Sequence, residues 1–257
     1  MGALDGRVAV VTGGNGGIGF GLAAALLDAG AAVDIWGRDE TKTAEALERL
    51  RDRPGRPAIT GRRCDVTDEC DVAAALAAAV ARHGAVHTVV ANAGVGHQVP
   101  FVDTTLADWR HVTKPNLDGV FLTFREAARH MKDRHAAGGG GGALVAVSSI
   151  SAIHGSPRHA AYAASKAGLL GLVRSVAVEL ARYGVRANAL LPGWTVIDTH
   201  PEMHADPRFV EVTTRRTPVR RWATPDDLRE AIVFLADPSV TFHTGDTLVV
   251  DGGYTVQ

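Results

Sequence analysis

The stretch that decides the fold runs from Arg7 to Gly30, RVAVVTGGNGGIGFGLAAALLDAG. Its first part, Arg7 to Val11, is a short run of small apolar residues and reads as a buried strand. TGGNGGIG follows from Thr12 to Gly19, and FGLAAALLDAG then has a helical composition. Strand, glycine-rich turn and opening helix, in that order, are the context a dinucleotide-binding turn needs. Glycine permits the tight turn and lets a pyrophosphate approach the backbone. The helix N-terminus supplies N–H groups and the positive end of a dipole. A glycine cluster alone is weak evidence, and its place between these two elements gives it weight.

Working outward, strand and helix keep alternating. Ala32 to Trp36 is the second strand and Glu40 to Arg51 a charged helix. A carboxylate at the end of this strand would bind the adenosine ribose hydroxyls and repel a 2′-phosphate. Gly37 stands there, followed by Arg38, a pattern that favours NADP over NAD. The competing arrangement leaves Arg38 in solvent and gives the ribose to Asp39. Arg53 to Pro57 is a loop, and Ile59 to Arg63 a third strand leading into Cys64-Asp65-Val66. Asp65 is placed to reach an adenine edge. N-capping the next helix is an equally good use for it, or for Thr67-Asp68. Asp71 to His83 is an Ala-rich helix, and Val86 to Ala91 a fourth, near-continuously apolar strand ending in Asn92-Ala93-Gly94. Asn92 is expected to tie backbone groups together. Strands apolar on both faces, alternating with helices, predict a parallel sheet covered on two sides.

Beyond a loop carrying His97, a long helix is predicted from about Leu106 to Arg134. Pro115 within it removes one donor, bends the helix and frees a carbonyl; Asn116, beside the bend, is a candidate to hold a water chain. The run Gly138 to Gly142 reads as a flexible surface connection. A phosphate loop would need a helix directly after it, and none opens there.

The second informative stretch is VAVSSISAIHGSPRHAAYAASKAG, from Val145 to Gly168. A buried-strand pattern passes through a Ser-Ser pair and a turn into an Ala-rich helix that carries Tyr162 and Lys166. Four residues apart, phenol and ammonium share one helix face. An ordinary tyrosine, with a pKa near ~10, is a poor base at neutral pH. A neighbouring cation favours the phenolate, so the pKa is expected to fall and Tyr162 to exchange a proton with an alcohol or ketone. Ser149, at the strand end, is placed to hold the same substrate oxygen. In most chains such a Tyr–Lys pair is core filler beside a solvated lysine; the nucleotide signature at the other end of the architecture shifts the reading.

Val185 to Leu191 forms the sixth strand, which Pro192-Gly193-Trp194 breaks. The segment Thr195 to Pro218 lacks periodicity and ends in Arg215, Arg216, Arg220 and Arg221. A long irregular segment in a compact domain is usually a lid or binding loop, here a substrate lid at about 194–218. Thr224-Pro225-Asp226-Asp227 caps a last helix to about Ala236, and Thr247 to Val250 is the final strand.

The bounds agree with one domain. The chain has 257 residues and a formal net charge of -1, so nothing points to nucleic acid or an anionic membrane as partner. No apolar run is long enough to span a bilayer. Cys64 and Cys70 make neither a disulfide framework nor a zinc set, so no metal is expected, and a cytoplasmic location is the default.

These motifs, taken together, resemble the short-chain dehydrogenase/reductase family over essentially the whole chain. The family's T-G-x-x-x-G-x-G appears as Thr12, Gly13, Gly17, Ile18 and Gly19, and its N-A-G as Asn92-Ala93-Gly94. Its P-G is Pro192-Gly193, and its closing G-x-x-x-x-V-D-G-G spans Gly245 to Gly253. The resemblance implies a single Rossmann-type doubly wound α/β domain over residues 1–257, with a seven-stranded parallel sheet flanked by helices on both faces. It implies a catalytic tetrad of Asn116, Ser149, Tyr162 and Lys166. Tyr162 would be the acid/base, Lys166 would hold the nicotinamide ribose and lower the Tyr162 pKa, Ser149 would orient the reacting oxygen, and Asn116 would anchor a relay water. The implied cofactor contacts are Gly13, Asn15, Gly17, Ile18, Gly19, Arg38, Asp65, Val66, Asn92, Ala93, Gly94, Tyr162, Lys166, Pro192, Gly193 and Thr195. Relatives commonly form homotetramers or homodimers.

Three departures stand out. Asn15-Gly16 lies where many NADP users carry a basic residue, so the preference leans on Arg38. Ile197 stands where the family often places a carboxamide-binding Thr, for which Thr195 or Thr199 could substitute. The glycine run looks like an insertion. The leading reading is an NADP-preferring alcohol dehydrogenase or carbonyl reductase, with NAD possible, acting on a small alcohol or ketone, polyol or sugar-like. The alternatives are a 3-oxoacyl thioester reductase, for which Arg215 to Arg221 would be a carrier-docking patch although the cluster reads better as ordinary solvated surface, and a nucleotide-binding sensor without turnover. His97, His154, Trp194 and His200 are candidate pocket residues, with Trp194 equally suited to packing.

Overall fold

The computed structural model describes residues 2–53, 58–197 and 206–257. Seven strands form one sheet: β1 (Val8–Thr12), β2 (Ala32–Gly37), β3 (Ile59–Arg63), β4 (Thr88–Ala91), β5 (Gly142–Val147), β6 (Val185–Pro192) and β7 (Thr247–Val250). Their order is β3-β2-β1-β4-β5-β6-β7, and every pairing is parallel. The chain runs outward from β1 to β3, then crosses back to β4 on the other side of β1. That reversal opens a crevice at the carboxyl ends of β1 and β4, where doubly wound sheets bind ligands.

Both faces of the sheet are covered, so the central strands β1, β4 and β5 read as near-continuous apolar runs. Val8 and Val10 of β1 face a core that includes Phe124, Leu169 and Val173, whereas Ala9 and Val11 face Leu22, Leu26 and Ile232. The first layer is built by α3 (Glu69–His83), α5 (Gly119–Ala136) and α6 (Ala160–Leu180), the second by α1 (Gly17–Asp28), α2 (Glu40–Arg51) and α8 (Arg229–Ala236).

Local signals fix several boundaries. Asp39 caps α2 by accepting the Lys42 N–H, and Asp68 caps α3 by accepting those of Cys70 and Asp71. The expected single helix from Leu106 to Arg134 is two helices, α4 (Leu106–Thr113) and α5, joined by one wide π turn over Lys114–Asp118. Pro115 has no N–H for the regular ladder, and the break takes this form. Pro192, expected to break β6, is instead its last paired residue, opposite Val250.

Two segments depart further from expectation. Part of the stretch expected to be an irregular lid, 194–218, is a helix, α7 (Pro207–Arg216), capped by Asp206 with Pro207 in its first turn. Residues 198–205 of that stretch lie outside the described residues. The glycine run is not all loose connection. A Cβ at Gly141 would lie 1.8 Å from the Gly184 carbonyl oxygen, and Gly142 already belongs to β5, paired with Val185. Among the described residues, no helix is long and apolar enough to cross a membrane.

Candidate active site

The crevice is floored by the turn after β1. Asn92, at the end of β4, clamps it: the amide Nδ2 donates to the carbonyls of Thr12 and Gly13, at 3.1 and 3.3 Å. Thr12 answers by accepting the N–H groups of Asn92 and Ala93, both at 3.0 Å. Asn92 therefore ties backbone groups, as expected.

Only glycine fits the turn. Gly13 and Gly17 have φ of 63° and 52°. A Cβ at Gly19 would stand 2.2 Å from the Gly13 carbonyl oxygen. The N-cap of α1 is Gly16, with no side-chain hydrogen bond onto the helix end and no acidic residue in its first turn. The helix thus presents its N–H groups and dipole without a competing carboxylate, which fits a dinucleotide pyrophosphate.

The adenosine end is less simple than the sequence suggested. Asn15 reaches α2, donating to Thr43 Oγ1 at 3.1 Å, and its Nδ2 would lie 2.1 Å from a Cβ at Gly37. Gly37 is therefore small because Asn15 packs on it, besides lacking a carboxylate. Asp39 is committed to capping α2 and Arg38 is exposed. Asp65 accepts the N–H and hydroxyl of Thr67, both at 2.9 Å, so it shapes its own turn while Asp68 takes the cap. Burial pushes the Asp65 carboxyl up, and the two Thr67 hydrogen bonds, helped by the nearby charges of Arg38 and Lys114, hold it below its usual value. Val66 spends its side chain against Gly119, where a Cβ would meet it at 2.8 Å.

Three elements bring the candidate tetrad together. Ser149 follows β5, where its Oγ accepts the Ser151 N–H at 3.1 Å and lies near enough to the Tyr162 phenol to favour its ionised form. Tyr162 and Lys166 occupy the first turns of α6, with Nζ 5.6 Å from the phenol ring centroid. Lys166 is 4 % exposed, and its ammonium donates to the Val147 carbonyl at 2.8 Å. Ser148, the other serine, donates to the Lys166 carbonyl and so locks β5 to α6.

Asn116, fully buried in the π turn, uses its whole amide on structure. It accepts the Val95 N–H at 2.8 Å and donates to the Val95 carbonyl at 2.9 Å and to Ser165 Oγ at 3.3 Å. A Cβ at Gly94 would lie 3.0 Å from Asn116 Oδ1 and 3.6 Å from Lys166 Nζ. The N-A-G glycine is what lets these two side chains approach.

The charge states differ from the sequence expectation. Burial pushes the Tyr162 phenol up, outweighing the Ser149 hydroxyl that pulls it down. Burial also lowers the Lys166 ammonium to about 8. The sequence argument counted the cation and not the loss of water around both groups.

At the end of β6, Gly193 donates to the Val250 carbonyl at 2.9 Å, with a Cβ there 2.7 Å from Asp251 Cα. Thr195 is buried and donates to the Gly193 carbonyl at 3.0 Å, so its hydroxyl faces its own loop; Thr199 and His200 lie outside the described residues. Trp194 proves to be a packing residue, stacked on Trp222 and edge-on to Phe209. His154 meets Tyr254 edge-on, a C-terminal contact the sequence did not signal. His97 pairs with Asp108 at 3.1 Å. Cys64 is buried with its thiol pushed up to about 12, which leaves it inert as a nucleophile.

Fold and crevice together define a dinucleotide-binding α/β protein with a tyrosine–lysine site. A family profile described as enoyl-(acyl carrier protein) reductase matches residues 13–255. Cis-4-hydroxycyclohexanecarboxylate dehydrogenase of Sinomonas cyclohexanicum is 40% identical over 97% of this chain and 96% of its own. D-threitol dehydrogenase of Mycolicibacterium smegmatis is 36% identical over 99% and 95%. Among solved structures, gluconate 5-dehydrogenase from Burkholderia cenocepacia, in complex with NADP and tartrate, is 37% identical. It superimposes with a TM-score of 0.91 over 99% of this chain and 97% of that one. The chain belongs to the short-chain dehydrogenase/reductase family and is an NAD(P)-dependent oxidoreductase that interconverts a hydroxyl and a carbonyl.

Proposed function

We propose that this enzyme is an NADP-preferring dehydrogenase of small polar secondary alcohols, of the polyol or hydroxy-acid class, with Tyr162 as its acid/base. The observation that carries the reading is a buried Lys166, anchored to the Val147 carbonyl, with its ammonium 5.6 Å from the Tyr162 ring at the crevice. In the oxidative direction the alcohol proton passes to Tyr162, and Ser149 holds the same oxygen so that the proton and the reacting carbon stay aligned. The ammonium of Lys166 favours the phenolate that receives the proton. Asn116 is a positioning residue: it fixes the Val95 loop against α6 through Ser165. Residues of the glycine turn, with Arg38 at the adenosine end, would hold the dinucleotide, which when bound supplies the hydride acceptor or donor.

NADP preference is supported by Arg38, free of a carboxylate at Gly37, and by the engagement of Asp39 in its cap. The polar-alcohol class is supported by the relatives named for a hydroxycyclohexanecarboxylate, threitol and L-rhamnose. An acetoacetyl-CoA reductase among the relatives supports the thioester reading. Against it, the basic cluster is occupied at home: Arg220 donates to the Arg215 carbonyl, Arg221 pairs with Asp227, and Arg216 stacks on Tyr254. Exposed Phe121, Val178 and Phe242 support a homo-oligomer. The test is a panel of polyols, hydroxy acids and acyl thioesters with NADP and NAD separately, with Tyr162→Phe as control. Turnover of thioesters alone, or equal rates in wild type and Tyr162→Phe, would overturn it.

A further inference from the structure

We propose that the opposite rim of the sheet carries a second ligand site, in which Arg134, seconded by Arg7, grips a small oxyanion such as a phosphate or carboxylate group. Arg134 lies in the last turn of α5, at the amino ends of the strands and away from the crevice. Its Nε and Nη2 are buried and have no hydrogen-bond partner among the described residues. These two nitrogens form one edge of the guanidinium, the edge that matches two oxygens of an anion side-on. The molecule shows what that edge takes elsewhere. In Arg53 it holds both oxygens of Asp28, and in Arg62 both nitrogens converge on Asp34. In Arg134 the same edge is bare.

Among the described residues, the surroundings supply donors and no counter-charge for it. His87 accepts the Val8 N–H on Nδ1 at 3.0 Å, and His130 accepts the Val86 N–H on Nε2 at 3.1 Å. Each ring's acceptor nitrogen is thereby used by the backbone, and its other nitrogen is left to donate. Arg7 stands close enough to repel Arg134, and both arginines repel a proton from His87. Asp133 is the carboxylate that reaches this cluster, and it acts on His130 rather than on Arg134. The guanidinium cannot simply swing out, because its stem is wedged under the glycine run. A Cβ at Gly139 would lie 2.6 Å from Arg134 Cγ, and the Gly139 N–H donates to the Arg134 carbonyl at 2.8 Å. An unpaired buried charge destabilises a fold, and an anion that binds only the folded state removes that penalty.

The experiment is thermal unfolding of the full chain in saturating NADP, which occupies the phosphate sites of the crevice, at constant ionic strength. Inorganic phosphate and acetate are titrated separately to distinguish phosphoryl from carboxyl ligands. Expected for wild type is a rise in Tm that follows the logarithm of anion concentration above the dissociation constant and reaches about 2 to 4 °C at roughly five times that constant. Arg134→Met should lose the rise, be at least as stable as wild type without the anion, and keep kcat and KM. A wild type indifferent to both anions, or an Arg134→Met variant that still responds, overturns the site. Should that variant fail to fold, Arg7→Met reads the same site through a several-fold weaker response, and an unchanged response overturns it.

Discussion

Both rims of the sheet bury a cation, and they treat it differently. At the carboxyl rim Lys166 is anchored to the Val147 carbonyl, and its neighbours, Tyr162 and Ser149, are groups that pass or hold a proton. At the amino rim Arg134 has a bare edge amid Arg7, His87 and His130. Burial acts on both, lowering Lys166 to about 8 and Arg134 from its usual value. The difference lies in the partner. A lysine, whose proton burial can loosen, sits beside the chemistry; an arginine, which keeps its charge, sits where a counter-ion can be recruited.

If the comparison is right, changes at the carboxyl rim move turnover and changes at the amino rim move stability. The largest effect is expected from Tyr162→Phe, which removes the proton carrier and should lower kcat by about 10²- to 10⁴-fold with Tm unchanged. Steady-state kinetics beside calorimetry checks it, and a matching fall in Tm would blur the division. Next is Arg38→Ala. Losing a charge-assisted contact should weaken NADP by roughly 10- to 100-fold in KM while leaving NAD little changed. Equal losses for both dinucleotides would remove Arg38 from the 2′-phosphate.

At the other rim, Gly141→Ala forces a Cβ against the Gly184 carbonyl, backbone on backbone. Denaturant unfolding should show a loss of about 1–3 kcal/mol with KM unchanged. The smallest effect is a pH dependence. Burial, with Arg134 and Arg7, moves His87 from its ordinary 6.5 to about 4. The unfolded chain then takes up the proton first, so this contribution is complete above pH 6.5 and is lost as pH falls towards 4. His87→Leu should flatten that slope by on the order of 1 kcal/mol, and identical pH profiles would mean His87 does not titrate there.

Much of the carboxyl rim was legible in the chain because its signals are local. The Thr12–Gly19 turn, Asn92 and the Tyr162–Lys166 pair each state their geometry within a few residues. The Asp206-Pro207 start of α7 was legible too, as a cap followed by a first-turn proline, and was passed over for want of periodicity in the stretch around it. Other features needed tertiary structure. The direction of the Tyr162 shift depends on burial, which no spacing reveals. Gly37 looked like room for a phosphate and is also room for Asn15. The bare edge of Arg134 exists only because α5, the glycine run and the start of β1 meet.

The π turn over Lys114–Asp118 does more than break a helix. Val112, beside Ala161 of α6, and Met131, in the core below the sheet, are both wholly buried and nineteen positions apart. In an uninterrupted α-helix that separation overshoots a whole number of turns by roughly 100°. The wide turn absorbs one extra position, and both halves of the rod keep a buried face. Excising a single residue there would not merely shorten the rod: it would rotate one half of it against the other by roughly 100°, turning Met131 from the core or Val112 from α6.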